Sequence, residues 1–180
     1  MDLEGAIELV ARARAQGKKV VFTNGCFDLL HAGHVEYLEK ARTMGDLLVV
    51  GINTDESVKA LKGSGRPVLA LEDRAAVLAG LACVDVVIPF HELDPIRLIR
   101  ALSPDVLVKG SDWPEEAIVG AELVRERGGR VERIELRKGI STSIIIERIL
   151  TRFQSSSAPA APDPPACSRS QGSEARDPSS

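Results

Sequence analysis

Short apolar runs rich in β-branched residues alternate with helix-like segments along most of this chain. The runs lie at residues 20–22, 46–53, 84–88, 106–108 and 131–136. Their length and lack of alternation suit strands buried on both faces rather than buried helices. Strand–helix alternation of this kind requires crossover connections. The expected architecture is therefore α/β: a Rossmann-like, five-stranded parallel sheet with helices on both faces. In such sheets ligands sit beyond the carboxyl ends of the strands.

The segments between the runs carry helix signals. Leu3, Ile7, Val10 and Ala11 recur at helical spacing and predict an opening amphipathic helix that ends near Gly17. Asn24 and Gly25 break the first strand, and a helix follows from the His31-Ala32-Gly33-His34 turn through Ala41, closed by Gly45. A short helix is expected over 57–61, then a flexible basic loop, KGSGRPV, over 62–68. Over 71–81 the spacing puts Leu71, Ala75, Leu78 and Ala79 on one helix face and leaves Asp73 and Arg74 off it. A helix over 95–102 carries Pro95 in its first turn and Asp94 as a cap. Pro114 opens a helix to about Arg127, which Gly128-Gly129 stops. Ser141 or Thr142 caps a last helix to about Arg152, with Ile144, Ile145 and Ile146 as core.

Composition divides the chain once. Residues 1–152 read as one domain, long enough to bury a stable core. Residues 153–180 are rich in Ser, Pro and Ala with almost no large apolar side chain, and are expected to be a disordered tail.

The net charge of −3 argues against general affinity for nucleic acid or an anionic membrane. No apolar run reaches 18 residues, so no membrane span is expected. The first residues lack the apolar core of a secretory signal. Cys26, Cys83 and Cys167 are isolated, with neither metal-ligand nor disulfide spacing. A cytoplasmic location is the simplest expectation.

The stretch VVFTNGCFDLLHAGHVEYL over 20–38 concentrates the chemistry. A strand, a glycine-bearing turn and a helix start place two imidazoles, three residues apart, where exposed N–H groups and a positive dipole end favour phosphate. Gly33, lacking a Cβ, allows close approach. The turns at 31–34, 53–55, 109–113 and 138–143 all follow strands and should gather on one edge of the sheet. A nucleotide phosphate site is expected there.

His31-Ala32-Gly33-His34 on the first strand–turn–helix and Gly139-Ile140-Ser141-Thr142-Ser143 opening the last helix resemble the small nucleotidyltransferases of the cytidylyltransferase-like family. Within it, FTNGCFDLLHAGHVEYL, LKGSGRPV, ALSPDVLVKGSDW and the opening helix look like the adenylyltransferase domain of bacterial heptose enzymes. In many bacteria that domain follows a sugar kinase; here a stand-alone version is expected. The Gly-Ser-Asp-Trp stretch is also similar to glycerol-3-phosphate cytidylyltransferases. One departure is clear: the arginine that those enzymes carry three residues before the glycine of the last motif is Leu136 here, followed by Arg137.

The resemblance implies transfer of AMP from ATP to D-glycero-β-D-manno-heptose 1-phosphate, with pyrophosphate leaving and ADP-heptose formed for lipopolysaccharide. It implies Mg2+ with the triphosphate, no dedicated metal site, and a homodimer. His31, His34 and Lys62 would be catalytic. Thr23, Asn24, Gly25, Cys26, Phe27, Asp28, Gly33, Lys109, Gly110, Gly139, Ser141, Thr142 and Ser143 would bind nucleotide. Asn53, Asp55, Arg66, Arg74, Asp112 and Trp113 would bind the second substrate; Arg74 reads equally as half of a solvated pair with Glu72 or Asp73. His91 reads as ordinary surface. The alternatives are a cytidylyltransferase for glycerol 3-phosphate or another polyol phosphate, and a nucleotide-binding regulator without catalysis.

Overall fold

The structure, a computed structural model, describes residues 1–154. The expected disordered tail therefore lies, from residue 155 onward, outside the described residues. Five parallel strands form one sheet: β1 (Val20–Gly25), β2 (Leu47–Asn53), β3 (Val86–Phe90), β4 (Val106–Gly110) and β5 (Arg130–Ile134), in the order β3-β2-β1-β4-β5. Among the described residues seven α-helices accompany them: α1 (Leu3–Ala15), α2 (Ala32–Arg42), α3 (Asp55–Lys62), α4 (Leu71–Ala79), α5 (Ile96–Leu102), α6 (Ala121–Glu126) and α7 (Thr142–Gln154). The strand order reverses direction at β1, whose neighbours are β2 and β4. A crevice opens at such a reversal, at the carboxyl ends.

Alternate residues along the central strands feed two cores. Phe22, Val49 and Leu107 pack with Ala6 and Val10 of α1, Ile99 and Leu102 of α5 and Val124 of α6. Val21, Val50 and Val108 pack with Leu38 and Ala41 of α2 and Leu78 of α4. Helices therefore cover both faces, as the unbroken apolar runs require.

The edge at the strands' amino ends is closed by carboxylates. Lys19 N–H donates to Asp46 (2.8 Å), Val20 N–H to Asp105 (2.7 Å) and Leu48 N–H to Asp85 (2.7 Å). Each aspartate directly precedes a strand and holds the backbone at the start of a neighbouring one. The ends of the ladder are thus satisfied without lengthening it.

Several local expectations need correction. β1 continues through Asn24 and Gly25, because these residues have ladder partners in Gly51 and Ile52. On α1 the buried residues are Ala6, Val10 and Ala13, while Ile7 and Ala11 are exposed. The small alanines, not the larger Ile7, complete the inward stripe. The helix expected from Pro114 to Arg127 is instead a short 3-10 turn, Glu115–Ala117, followed by α6. Gly120 interrupts it with φ of +85°, and a Cβ there would stand 2.6 Å from Ile99 Cδ1, so the chain turns sharply where α5 comes closest.

The last helix also differs from expectation. α7 runs two residues beyond the expected boundary at 152. Ile144, Ile145 and Ile146 are half-buried rather than core, and Ile149, Leu150 and Phe153 are exposed. Only Thr142 of α7 is buried. Its apolar stripe starts against the body and continues into solvent. No helix of the described residues is long and apolar enough to cross a membrane.

Candidate nucleotide site

A cavity of about 630 Å³ opens at the carboxyl ends of β1, β2 and β4. That size suits a nucleotide-scale ligand. Its walls come from the β1–α2 turn, the end of β2, the end of α3, the β4 end and the start of α7. His34 and Thr142 share it, as the convergence of turns requires.

His31 is the N-cap residue of α2, but its side chain makes no cap hydrogen bond. The helix start is left for another acceptor. The imidazoles of His31 and His34 stack, with centroids 3.9 Å apart and planes 23° apart. Both Nδ1 atoms are buried without a hydrogen-bond partner. Burial pulls His31 below the ordinary histidine value; burial, reinforced by His31, brings His34 down to about 4. Both rings are therefore neutral near pH 7 and each carries one N–H to donate.

Gly33 sits between the His31 ring and Ile140. A Cβ at Gly33 would be 3.1 Å from His31 Nδ1 and 3.3 Å from Ile140 Cγ2. The two motifs that suggested the family thus nearly touch at a glycine. Phe27 holds the preceding turn in a left-handed conformation, φ +45°, with its ring 5.4 Å from that of His34. A bulky residue in that region stores about 1–3 kcal/mol of strain, a feature typical of functional turns.

Lys109, at the end of β4, is mostly buried and donates from Nζ to Asn24 Oδ1 at 2.5 Å. The amine also lies 5.6 Å from the centroid of Trp113. Burial lowers it to about 8, against the opposing pull of Asp112 and Cys26. Asn53 donates to Ser57 Oγ (2.8 Å), which in turn donates to the carbonyl of Glu92 (3.0 Å), so the end of β2 is tied to α3 and the chain after β3. At α7, Ser141 Oγ accepts from Ile144 N–H at 3.2 Å and acts as the cap. Thr142 and Ser143 complete that wall. Lys62, at the end of α3, has no hydrogen-bond or ion-pair partner among the described residues.

The expected site residues line this cavity, except Thr23, Asp55, Arg74 and Gly139. Thr23 is buried beneath it and shares a 2.7 Å hydrogen bond with Tyr37. Gly139 lies in the turn before α7 with φ of +77°. The reading of Arg74 as half of a solvated pair is overturned: Arg74 is fully buried and paired with Asp55 at 2.6 Å. Asp28 is also committed. Its carboxylate accepts from Val68 N–H (2.8 Å), Leu69 N–H (3.0 Å) and Arg66 Nε. Burial works to raise Asp28, but these donors outweigh it and hold the group below the usual carboxylate value. Arg137 pairs with Glu36 at the cavity edge, and Leu136 lines the wall beside it.

Sequence reasoning missed Tyr37, Leu61, Leu93, Asp94, Pro95, Ala117, Val119 and Ile140 as lining residues. Tyr37 had a usable signal, since it stands three residues after His34 on the same helix. The others are apolar or capping residues, Leu61 on α3, Ala117 in the 3-10 turn and the rest in loops.

Among the described residues no group of three or more His, Cys, Asp or Glu side chains is placed to hold a metal ion. Of the lining carboxylates, Asp28 and Asp94 already accept backbone hydrogen bonds. Asp112 alone has no hydrogen-bond partner among the described residues. This donor set fits a divalent cation carried by phosphate oxygens, with Asp112 within the same cavity, rather than one held in a protein cage.

A family model described as cytidylyltransferase-like matches residues 22–148, which span β1 to α7. The chain belongs to the cytidylyltransferase-like family. Members are nucleotidyltransferases that use a nucleoside triphosphate with a divalent metal, and this cytidylyltransferase-like chain is an enzyme of that class. It is 55% identical over 152 residues to the bifunctional protein HldE of Citrifermentans bemidjiense, covering 84% of this chain and 31% of that protein. It is 57% identical over 141 residues to HldE of Syntrophotalea carbinolica, covering 78% of this chain and 29% of that protein. The chain thus spans about a third of the length of these curated relatives. Among solved structures, the lipopolysaccharide core biosynthesis protein of Thermoplasma volcanium is 29% identical with a TM-score of 0.55. That match covers 69% of this chain and all of the other.

Proposed function

We propose that this chain transfers AMP from ATP to D-glycero-β-D-manno-heptose 1-phosphate, forming ADP-heptose and pyrophosphate. The observation that carries the transfer reading is the shared cavity. Two neutral imidazoles at an uncapped helix start, an unpaired Lys62 and the α7 start converge on it. The likeness to HldE over most of the chain supports the heptose substrate.

The sugar phosphate is already an anion, so attack at the α-phosphorus needs no strong base. What the protein supplies is alignment and stabilisation of developing charge. His31 and His34 donate N–H groups toward the α-phosphoryl oxygens. Thr142 and Ser143, with the first N–H groups of α7, hold the outer phosphates that leave. Lys62 neutralises charge from the α3 side, and Lys109 anchors nucleotide beside Trp113. Mg2+, when bound with ATP, offsets the charge of the triphosphate.

A panel of ATP, CTP and GTP against heptose 1-phosphate and glycerol 3-phosphate, read by pyrophosphate release, tests this. ATP with heptose 1-phosphate is expected to turn over fastest, and a chelator to stop it until Mg2+ is restored. Turnover with CTP alone would establish the cytidylyltransferase alternative. Tight nucleotide binding with no turnover on any pair would establish the non-catalytic regulator.

Two accompanying readings rest on separate observations. Cys26 and Cys83 are free thiols, which supports a reducing, cytoplasmic location. The exposed stripe of Ile149, Leu150 and Phe153 on α7 supports a homodimer. Sedimentation of the full chain at twice its 19.3 kDa mass checks the latter.

A further inference from the structure

Arg74 stands on α4 with its side chain wholly buried, yet it does not line the cavity. Its three nitrogens reach three separate segments. Nη1 donates to the carbonyl of Cys26 at 2.6 Å, on the turn that leads to His31. Nη2 donates to Asp55 Oδ1 at 2.6 Å, at the first residue of α3. Nε donates to the carbonyl of Leu69 at 3.1 Å, in the loop between α3 and α4. Asp28, also buried, takes the N–H of the same Leu69. Both backbone groups of Leu69 are therefore held by buried charges of opposite sign.

Lys62 is the last residue of the helix that Asp55 begins. Fixing Asp55 fixes where that eight-residue helix ends, roughly 10–12 Å along its axis. A buried guanidinium is costly unless its hydrogen bonds are satisfied, and here the fork geometry satisfies all three directions at once. Resting on the nucleotidyl-transfer reading above, we infer that Arg74, through Asp55 and the Cys26 carbonyl, is a positioning residue that sets Lys62 against the His31–His34 pair. It does not touch substrate. An independent sign is that Lys62 is the leading cation acting on the Cys26 thiol, ahead of Arg74 and Arg66, although burial still raises that thiol overall. The lysine therefore comes close to the turn that Arg74 grips.

A lysine in place of Arg74 keeps the charge but cannot reproduce the three-way fork. The test is a double-mutant cycle on the full chain. Arg74→Lys is expected to lower kcat/KM at least tenfold, but less than threefold further when Lys62→Ala is already present. Asp55→Asn, which retains shape and one acceptor and so spares the fold, should show the same pattern more weakly. Melting temperatures are recorded for each variant. Equal factors in both backgrounds would mean that Arg74 acts independently of Lys62 and would overturn the inference.

A second readout needs no turnover: the rate at which iodoacetamide alkylates Cys26, followed by peptide mass spectrometry. Lys62→Ala should slow it in the parent and leave it unchanged when Arg74→Lys is present. Slowing in both backgrounds overturns the positioning role, even in an active enzyme. Loss of the Lys62 effect, in a protein that turns over no substrate pair, leaves the positioning role standing and sinks only the transfer reading.

Discussion

His31 and His34 lie face to face, ring centroids 3.9 Å apart, and neither Nδ1 finds a partner in the protein. The pair is kept neutral at the expense of acid stability. In the unfolded chain an imidazole takes a proton near 6.5; folded, His34 takes one only near 4. Between those values the unfolded state holds more protons, so stability falls as pH drops through this window and is fully present above it. His34 alone accounts for about 3 kcal/mol of that loss. Urea titrations at pH 7, 5.5 and 4.5 should show a falling midpoint, and His34→Asn should flatten the trend. A flat profile in the parent protein would contradict the buried, neutral assignment.

The same neutrality makes each ring a donor prepared for charge that develops during transfer. His31→Ala or His34→Ala is expected to raise the barrier by roughly 3–4 kcal/mol, a loss of several hundred-fold in kcat. Far-UV circular dichroism should be unchanged, because the rings contribute little to either core. A variant with parental turnover would remove the histidines from the chemistry.

Gly33 offers a finer probe. Adding one methyl places a Cβ 3.1 Å from His31 and 3.3 Å from Ile140, so each must yield by a few tenths of an ångström. Gly33→Ala should fold, because Gly33 lies in the first turn of a helix where alanine is favoured. Its kcat should fall about 10-fold to 100-fold with a smaller change in KM, since geometry rather than binding is disturbed. Parental kcat would show that the spacing between the two motifs is not critical.

Lys109 presents a trade between stability and binding. Its folded value is lowered from 10.5 to about 8, so the unfolded state holds more protons between those limits. The cost of burying the ammonium is fully present below about pH 8 and is relieved as pH rises toward 10.5. Lys109→Met should therefore raise stability at pH 7 by roughly 1–2 kcal/mol, partly offset by the unpaired Asn24 acceptor. Calorimetric titration should show weaker ATP binding by the same variant. A lower melting temperature would mean that the bond to Asn24 outweighs the cost of burial.

The sheet was legible because its strands are uninterrupted apolar runs, and the rim because four turns after strands had to meet. Arg74 was not legible. It falls at the inward position of α4, with Leu71, Ala75 and Leu78, but periodicity assigns any arginine to solvent unless its counter-charge is known. That counter-charge, Asp55, lies 19 residues earlier on another helix. The structural tie of Asp28 was hidden for the same reason: its partners are backbone N–H groups 40 and 41 residues away. The break at Gly120 was hidden because its left-handed backbone, set where Ile99 of another helix passes close, is a tertiary feature that local spacing does not show. The half-exposed isoleucines of α7 misled in the opposite sense, since hydrophobicity alone does not say which body covers a stripe.

The aspartates at positions 46, 85 and 105 tether backbone only where strands begin, whereas the groups proposed to meet a ligand share a cavity at the opposite end of the sheet. The scaffold is thus clamped at one pole and left open at the other. Segments at the open pole, such as 111–113 and 136–140, lie outside the strands and are exchangeable without unfastening the sheet. A chassis anchored in this way accommodates a change of nucleobase or acceptor through its loops while the two imidazoles stay in place.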